Sequence, residues 1–342
     1  MYSRLRVKNL KTHKSHRVTL KDIAQIAGCT VNTVSHALHD RDDISKATKE
    51  KIKNIASELG YVENSLASSL RTGYSKTIAI IMSDISNPLF GILVKDIENY
   101  AREYRYNTIL INTDENPDLE KTAIYSALEK KVDGLLICPT QKESSNIQYL
   151  RNKDIPFVLF GRYFTEFETD YIISDESAGA YKAVDYLIGK GCKNVLFLNG
   201  FKYISSSVER LSGYKSALEK HNIEYNPALV HEISVTSSSF NHIYDKLKQN
   251  KTYYDGIFTF SDLLALEILS TLRVVDPLVF DKIPIVGYDN ILSNMFIPYP
   301  LSSINYDKNL MSKMLVETLI NKITNPDLPL VQHRLPTTLV IR

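Results

Sequence analysis

From Thr77 onward the sequence leaves little freedom in fold class. "TIAIIMSD", "YNTILINTD", "VDGLLICP" and "IPFVLFGR" are short apolar runs rich in β-branched residues, and stretches of helical period over about 88–104 and 118–131 lie between them. A strand buried on both faces loses the polar alternation of a half-exposed one. Continuous apolar runs joined by helices therefore predict parallel strands covered on both sides. After "YIISDESAG" the alternation starts again, with helices over about 177–189, 207–221 and 262–273 around "NVLFLNG", "YDGIFTFSD" and "IPIVGYDN". Two successive rounds predict two lobes with a cleft between them. Ligands of such sheets bind beyond the carboxyl ends of the strands. The cleft is then expected to be lined by Asp84 to Phe90, Arg162, Asp175, Ser205 to Arg210, Ser261, Asp262 and Asp289.

Before this body the pattern is different. "LKDIAQIAGCTVNTVSHAL", residues 20–38, has two short apolar-periodic halves hinged on Gly28. Thr19 with Asp22 predicts a capping box opening a helix over about 20–27. Gly28 permits a turn, Thr30 can cap a second helix over about 31–38, and Ser45 a third that runs to Leu59 and stops at Gly60. Ile23, Ala24 and Ala27 can bury against Val34, Ala37 and Leu38, with Ile52, Ile55, Ala56 and Leu59 closing the core. A support helix, a tight turn and a second helix with a free outer face make a helix-turn-helix. The outer face offers Val31, Asn32, Ser35 and His36, with Thr30 and Thr33 beside them, which suits hydrogen bonding and apolar contact in a major groove. A plain three-helix subdomain with one polar face would show the same pattern.

Charge favours the nucleic-acid reading. Residues 1–75 carry 13 Lys and Arg against 7 Asp and Glu, whereas the full chain of 342 residues carries 41 against 39. A basic head on a mildly acidic body suits a polyanionic partner. Residues 1–17 hold six basic and no acidic residues. They read as a disordered arm able to touch phosphates, or equally as sequence ahead of a start near Val18. "ENSLASSLRTGYSKT", 63–77, has the small polar composition of a linker, yet Leu66, Ala67 and Leu70 keep helical spacing. It reads as a connector that becomes helical only when held.

Other classes lose ground. No run approaches the ~18 apolar residues of a membrane span, and the N-terminus lacks the apolar region of a secretory signal. Cys29, Cys138 and Cys192 are far apart and odd in number, as expected of reduced, packed thiols in a cytoplasmic protein. The HxxH spacings at His13/His16 and His36/His39 lack further ligands, so no metal site is expected. No GxxxxGK, no GxGxxG after a strand and no GxSxG is present, which counts against an enzyme. No cofactor is expected.

"VTLKDIAQIAGCTVNTVSHAL", "ISKATKEKIKNIASELGYVENSLASSLRTG", "TIAIIMSDISNPLF" and "IPIVGYDN", in that order, resemble a LacI/GalR-family transcriptional regulator from Val18 nearly to the C-terminus. The order is more specific than any one motif. The resemblance implies an all-α helix-turn-helix head on a two-lobed, periplasmic-binding-protein-like α/β body with parallel sheets. It implies a sequence-specific repressor that binds a pseudo-palindromic operator in double-stranded DNA as a homodimer. Val31, Asn32 and His36 would read base edges, with Thr30, Thr33 and Ser35 on the same surface. Residues 64–70 would form a hinge helix in the minor groove, carrying Ala67 and Leu70, with Leu70 wedged into a base step and Arg71 on a phosphate. Effector contacts would be Phe90, Asp175, Arg210, Ser261, Asp262 and Asp289, and the effector a sugar or sugar phosphate.

Each carries a plainer alternative. Asp175 and Asp262 can cap the helices that follow them, Arg210 can join a surface ion pair, Phe90 can be core, and Leu70 can be an ordinary linker contact. Arg162 is a further candidate for an anionic group on the effector, or a solvated loop charge. The expected organisation is an arm over 1–17, a head over 18–62, a linker over 63–75 and a body over 76–342. Its first lobe takes about 76–174 and 306–322, its second about 175–305 and 323–342. Ser234 stands where relatives carry a stacking aromatic, and the chain has no Trp. Either Tyr163, Phe164 or Phe201 stands in, or the effector is not a simple pyranose. "LSSINYD", 301–307, lacks the glutamine usual before the last crossover. The rival function is a sugar- or nucleotide-binding protein or enzyme whose helical head does not bind DNA.

Overall fold

The computed structural model describes residues 18–62, 73–234, 240–250, 252–280, 282–294 and 300–342. The chain divides into two compact units, Met1–Gly73 and Tyr74–Arg342.

In the first unit α1 (Leu20–Ala27), α2 (Val31–Leu38) and α3 (Lys46–Glu58) each start on a side-chain cap from Thr19, Thr30 and Ser45. The capping box closes, with the Thr19 N–H donating to Asp22 Oδ2 at 2.8 Å. Gly28 ends α1 at φ 69, in the left-handed region that a Cβ disfavours. Helices of eight residues are marginal alone. Here the buried faces Ile23, Ala24 and Ala27, Val34 and Ala37, and Ile52 and Ala56 hold them together.

The second unit contains two six-stranded sheets. The first is built on β1 (Thr77–Met82), β2 (Asn107–Asn112), β3 (Gly134–Ile137), β4 (Phe157–Phe160) and β5 (Tyr171–Ser174). Its order is β11-β5-β4-β3-β1-β2 with β11 at Gln332–Leu335, all parallel. Helices α4 (Pro88–Glu103), α5 (Pro117–Glu129) and α6 (Ser145–Asn152) make its crossovers. The second sheet holds β6 (Val195–Asn199), β7 (Val230–Glu232), β8 (Gly256–Thr259), β9 (Ile285–Tyr288), β10 (Ser302–Tyr306) and β12 (Thr337–Val340). Around it lie α7 (Glu176–Gly189), α8 (Ser205–Lys220), α9 (Phe240–Gln249), α10 (Asp262–Val275) and α11 (Pro277–Phe280). Both lobes thus follow the βαβ grammar, and their central strands β1, β3, β4, β6, β8 and β9 are almost wholly buried.

The parallel rule fails at one edge, where β12 runs antiparallel to β10. The lobe boundary also needs correction. The expected second lobe took all of 323–342, but β11 pairs with β5 of the first sheet, Gln332 opposite Tyr171. The Asp170 carboxylate anchors it by accepting the Val331 N–H at 2.7 Å. Only after Pro336 does the chain enter the second sheet. The lobes are therefore joined three times: after β5, after β10, and between β11 and β12. After β10, α12 (Lys308–Thr324) returns to the first lobe, where Ser312 Oγ donates to Leu93 O.

Close packing of α7 on α8 depends on Gly213, where a Cβ would sit 2.1 Å from the Ser177 carbonyl oxygen. Among the described residues, no helix is long and apolar enough to cross a membrane, and no group of three or more His, Cys, Asp or Glu could hold a metal ion.

Candidate functional site

The strand ends of both sheets face one cleft. Its enclosed space is about 70 Å³, well below the ~300–1,000 Å³ of small-molecule sites, so the cleft is largely filled by its own side chains. Two arginines occupy it, and each is already matched. Arg162, just past β4, grips Glu115 with both guanidinium nitrogens at 2.8 and 2.5 Å and donates to Pro139 O at 2.9 Å. Burial opposes its charge, but Glu115 outweighs that and holds it protonated. Arg210, on α8, donates from Nε to Glu176 Oε2 at 2.6 Å and from Nη1 to the Phe260 carbonyl. Its guanidinium lies 3.6 Å from the centroid of Tyr288 and 4.4 Å from that of Phe260. Ser174 Oγ completes the Glu176 carboxylate at 2.6 Å.

Asp289, immediately after β9, differs from these. It is 5% exposed, lines the cleft, and its carboxylate takes no hydrogen bond from any described residue. Its φ is 98, a backbone conformation that costs on the order of 1–3 kcal/mol and tends to persist where function needs it. Burial raises its pKa to about 6, against the pull of Arg210 and Lys308. A buried carboxylate with no hydrogen-bond donor among the described residues keeps its acceptor capacity free.

Phe90, Arg210 and Asp289 are brought together here, and Arg162 joins them. Asp175, Ser261 and Asp262 are not in the lining. Asp175 Oδ1 accepts the Ala178 N–H at 3.0 Å and Ser261 Oγ accepts the Leu264 N–H at 3.3 Å, so both are helix caps. Asp262 is 1% exposed. It accepts the Ile291 N–H at 2.8 Å and the Ser303 hydroxyl at 2.6 Å. It thus ties α10 to the turn after β9 and to β10. Gly287 is required beside it, since a Cβ there would lie 2.1 Å from Asp262 Oδ1. Burial, and then the Asp289 charge, push the Asp262 pKa up to about 7. A carboxylate or hydroxyl just past a strand serves a cap and a ligand equally well, so the sequence alone does not separate the two roles.

Sequence reasoning missed Glu115 and Glu176, although a buried arginine implies a carboxylate partner. It also missed Phe160, Phe260 and Tyr306, which give the cleft its aromatic walls. The aromatics proposed to replace Ser234 lie elsewhere: Phe164 is in the first lobe's core and Phe201 stacks on Tyr203.

Tyr163 belongs to a seam between the lobes. Its hydroxyl donates to Glu209 Oε1 at 2.6 Å and accepts from Arg334 Nη2 at 2.9 Å, while Arg334 Nη1 donates to Glu209 Oε2 at 2.7 Å. Nearby, Ser205 N and Oγ donate to Gln141 Oε1 at 2.9 and 3.2 Å, and Tyr163 N donates to Ser205 Oγ at 3.1 Å. Polar bonds of this number join α8 of one lobe to β4, β3 and β11 of the other.

In the head, Thr30, Val31 and Asn32 are exposed, and Thr33, Ser35 and His36 half-buried. Thr30 Oγ1 is engaged as the cap of α2 and lies 2.9 Å from Thr33 Oγ1. Ala67, Leu70 and Arg71 fall outside the described residues.

A helix-turn-helix head and a two-lobed α/β body with an interlobe cleft define a ligand-controlled DNA-binding protein. Residues 75–326 match the periplasmic binding proteins and sugar binding domain of the LacI family, and residues 19–64 match the bacterial regulatory proteins of the same family. The chain belongs to the LacI family of bacterial transcriptional regulators. The HTH-type transcriptional repressor PurR of Vibrio atlanticus is 30% identical over 311 residues, covering 90% of this chain and 93% of that one. The transcriptional regulator CelR in complex with cellobiose is 27% identical, with TM-score 0.71 over 95% of this chain and 99% of its own. The lac repressor dimer bound to operator and the anti-inducer ONPF shares the fold at 22% identity, with TM-score 0.82 over 95% and 98%.

Proposed function

We propose that this regulator is a cytoplasmic, dimeric repressor whose cleft takes an uncharged saccharide rather than a sugar phosphate. The observation that carries the reading is the buried Asp289 carboxylate, which takes no hydrogen bond from a described residue, in a cleft whose two guanidiniums already have carboxylate partners. A phosphate would need a free cation. It would meet Asp289, Glu115 and Glu176 instead. Hydroxyl groups donate to Asp289 at no such cost, and Phe90, Phe160 and Phe260 offer flat apolar walls to a sugar face. Cellobiose in the CelR complex is a ligand of this chemistry.

The protein performs no turnover on this reading. Cys138 lines the cleft, but burial pushes its thiol up to about 11, so it is no nucleophile at neutral pH. Binding of the saccharide shifts the balance between lobe arrangements and, through them, operator affinity. Val31, Asn32 and His36 are the proposed base readers. The test is a thermal-shift screen of neutral mono- and disaccharides and their phosphates, followed by operator titration with each hit. Stabilisation by a neutral sugar that also changes operator affinity supports the proposal; stabilisation by phosphorylated sugars alone refutes it.

A further inference from the structure

The recognition helix carries one imidazole, and it is not left to rotate. His36 Nδ1 lies 2.6 Å from Asp43 Oδ2, with the two side chains 39% and 56% exposed. Asp43 sits in the turn between α2 and α3, and that turn is braced. Arg41 N donates to His36 O at 3.0 Å and Ile44 N to Arg41 O at 3.4 Å. Lys53 Nζ meets Asp40 Oδ1 at 2.5 Å and Lys49 Nζ donates to Asp40 O at 3.0 Å. The Ser45 cap then starts α3. The other imidazole nearby, His39, turns Nδ1 to its own helix at Ser35 O.

An exposed carboxylate on a segment that approaches phosphates weakens binding to any sequence, because it repels the backbone that supplies most of the affinity. An ordinary surface pair repays little of that. The cost is offset if Asp43 supplies selectivity instead. We propose that Asp43 is a positioning residue for base readout: it holds His36 by Nδ1 and so makes Nε2 the reading atom. In the neutral ring the carboxylate keeps the proton on Nδ1, and Nε2 is then an acceptor. In the major groove only the amino groups of adenine and cytosine donate. The pair therefore selects an adenine or cytosine edge at one position of each half-site. This rests on the reading of His36 as a base contact.

The test uses the full chain. Selection from a randomised duplex pool defines the preferred site, and single-base variants of that site are then titrated. The wild type is expected to prefer adenine or cytosine at one position per half-site by about tenfold, an ordinary value for one base contact. Asp43→Asn presents an amide that accepts or donates, which releases the tautomer, and the preference at that position alone should fall severalfold. Asp43→Glu should restore much of it. His36→Ala should erase it, and Asp43→Asn should add nothing further in that background. A uniform gain or loss of affinity in Asp43→Asn, with every base preference intact, overturns the assignment to Asp43. An unchanged site preference in His36→Ala overturns the underlying reading of His36, and the positioning role with it.

Discussion

On the proposed reading, Asp289 sets stability against ligand binding. Its folded pKa of about 6 lies above the ordinary 3.8, so the folded state binds the proton more tightly than the unfolded chain does. Stability then falls as pH rises from about 4 to about 6, and the cost persists above that. Asp289→Asn removes the buried charge and keeps a side chain that tolerates positive φ. At pH 8 the variant should be more stable by on the order of 1–3 kcal/mol, since each pKa unit corresponds to about 1.36 kcal/mol. The gain should vanish towards pH 4, and denaturant titrations at the two pH values check both the sign and the window. Effector affinity should meanwhile fall about ten- to hundredfold, as expected for loss of charge-assisted hydrogen bonds. Asp262 is a carboxylate with a different role. Both its oxygens are already hydrogen-bonded inside the second lobe, so at pH 8 the relief of its buried charge in Asp262→Asn is set against weaker bonds to Ile291 and Ser303, and the variant should gain less stability than Asp289→Asn despite the larger pKa rise. Little in the local sequence separates these two aspartates, since each lies within three residues of the end of an apolar strand. What separates them is Ser303 and the turn after β9, both distant in sequence from Asp262.

Among elements, the legible parts were those fixed by local chemistry. The caps at Thr19, Thr30 and Ser45, the stop at Gly28 and the buried strands each depend on a few adjacent residues. Strand β11 was not legible. Its sequence, QHRL, is mostly exposed, and only pairing with β5 makes it a strand of the first lobe. Glu115 and Glu176 were missed for a related reason, because their partners Arg162 and Arg210 come from other elements. Glycines mark where elements touch. Gly213→Ala places a methyl group into the backbone of α7, and should destabilise the body by roughly 1–3 kcal/mol or more, the range for overpacking. Gly28→Ala forces a Cβ into φ 69 and should cost about 1–2 kcal/mol. Melting curves of the two variants against wild type test both values.

The lobes of the body behave as a pair because three chain crossings and one polar seam join them. Tyr163, Glu209 and Arg334 bond mutually across that seam. Glu209→Gln weakens two of these bonds, so effector affinity should fall severalfold if the cleft must close on its ligand. Calorimetric titration with the sugar found by thermal shift reads this directly. Control of the head through the cleft is a coupling free energy, and coupling is reciprocal. Operator affinity should be measured with and without saturating sugar, and sugar affinity with and without operator. The account predicts two equal fold-changes, of about fivefold or more, reached in Asp289→Asn only at about ten- to hundredfold more sugar. An operator affinity unmoved by a sugar that demonstrably fills the cleft would contradict it.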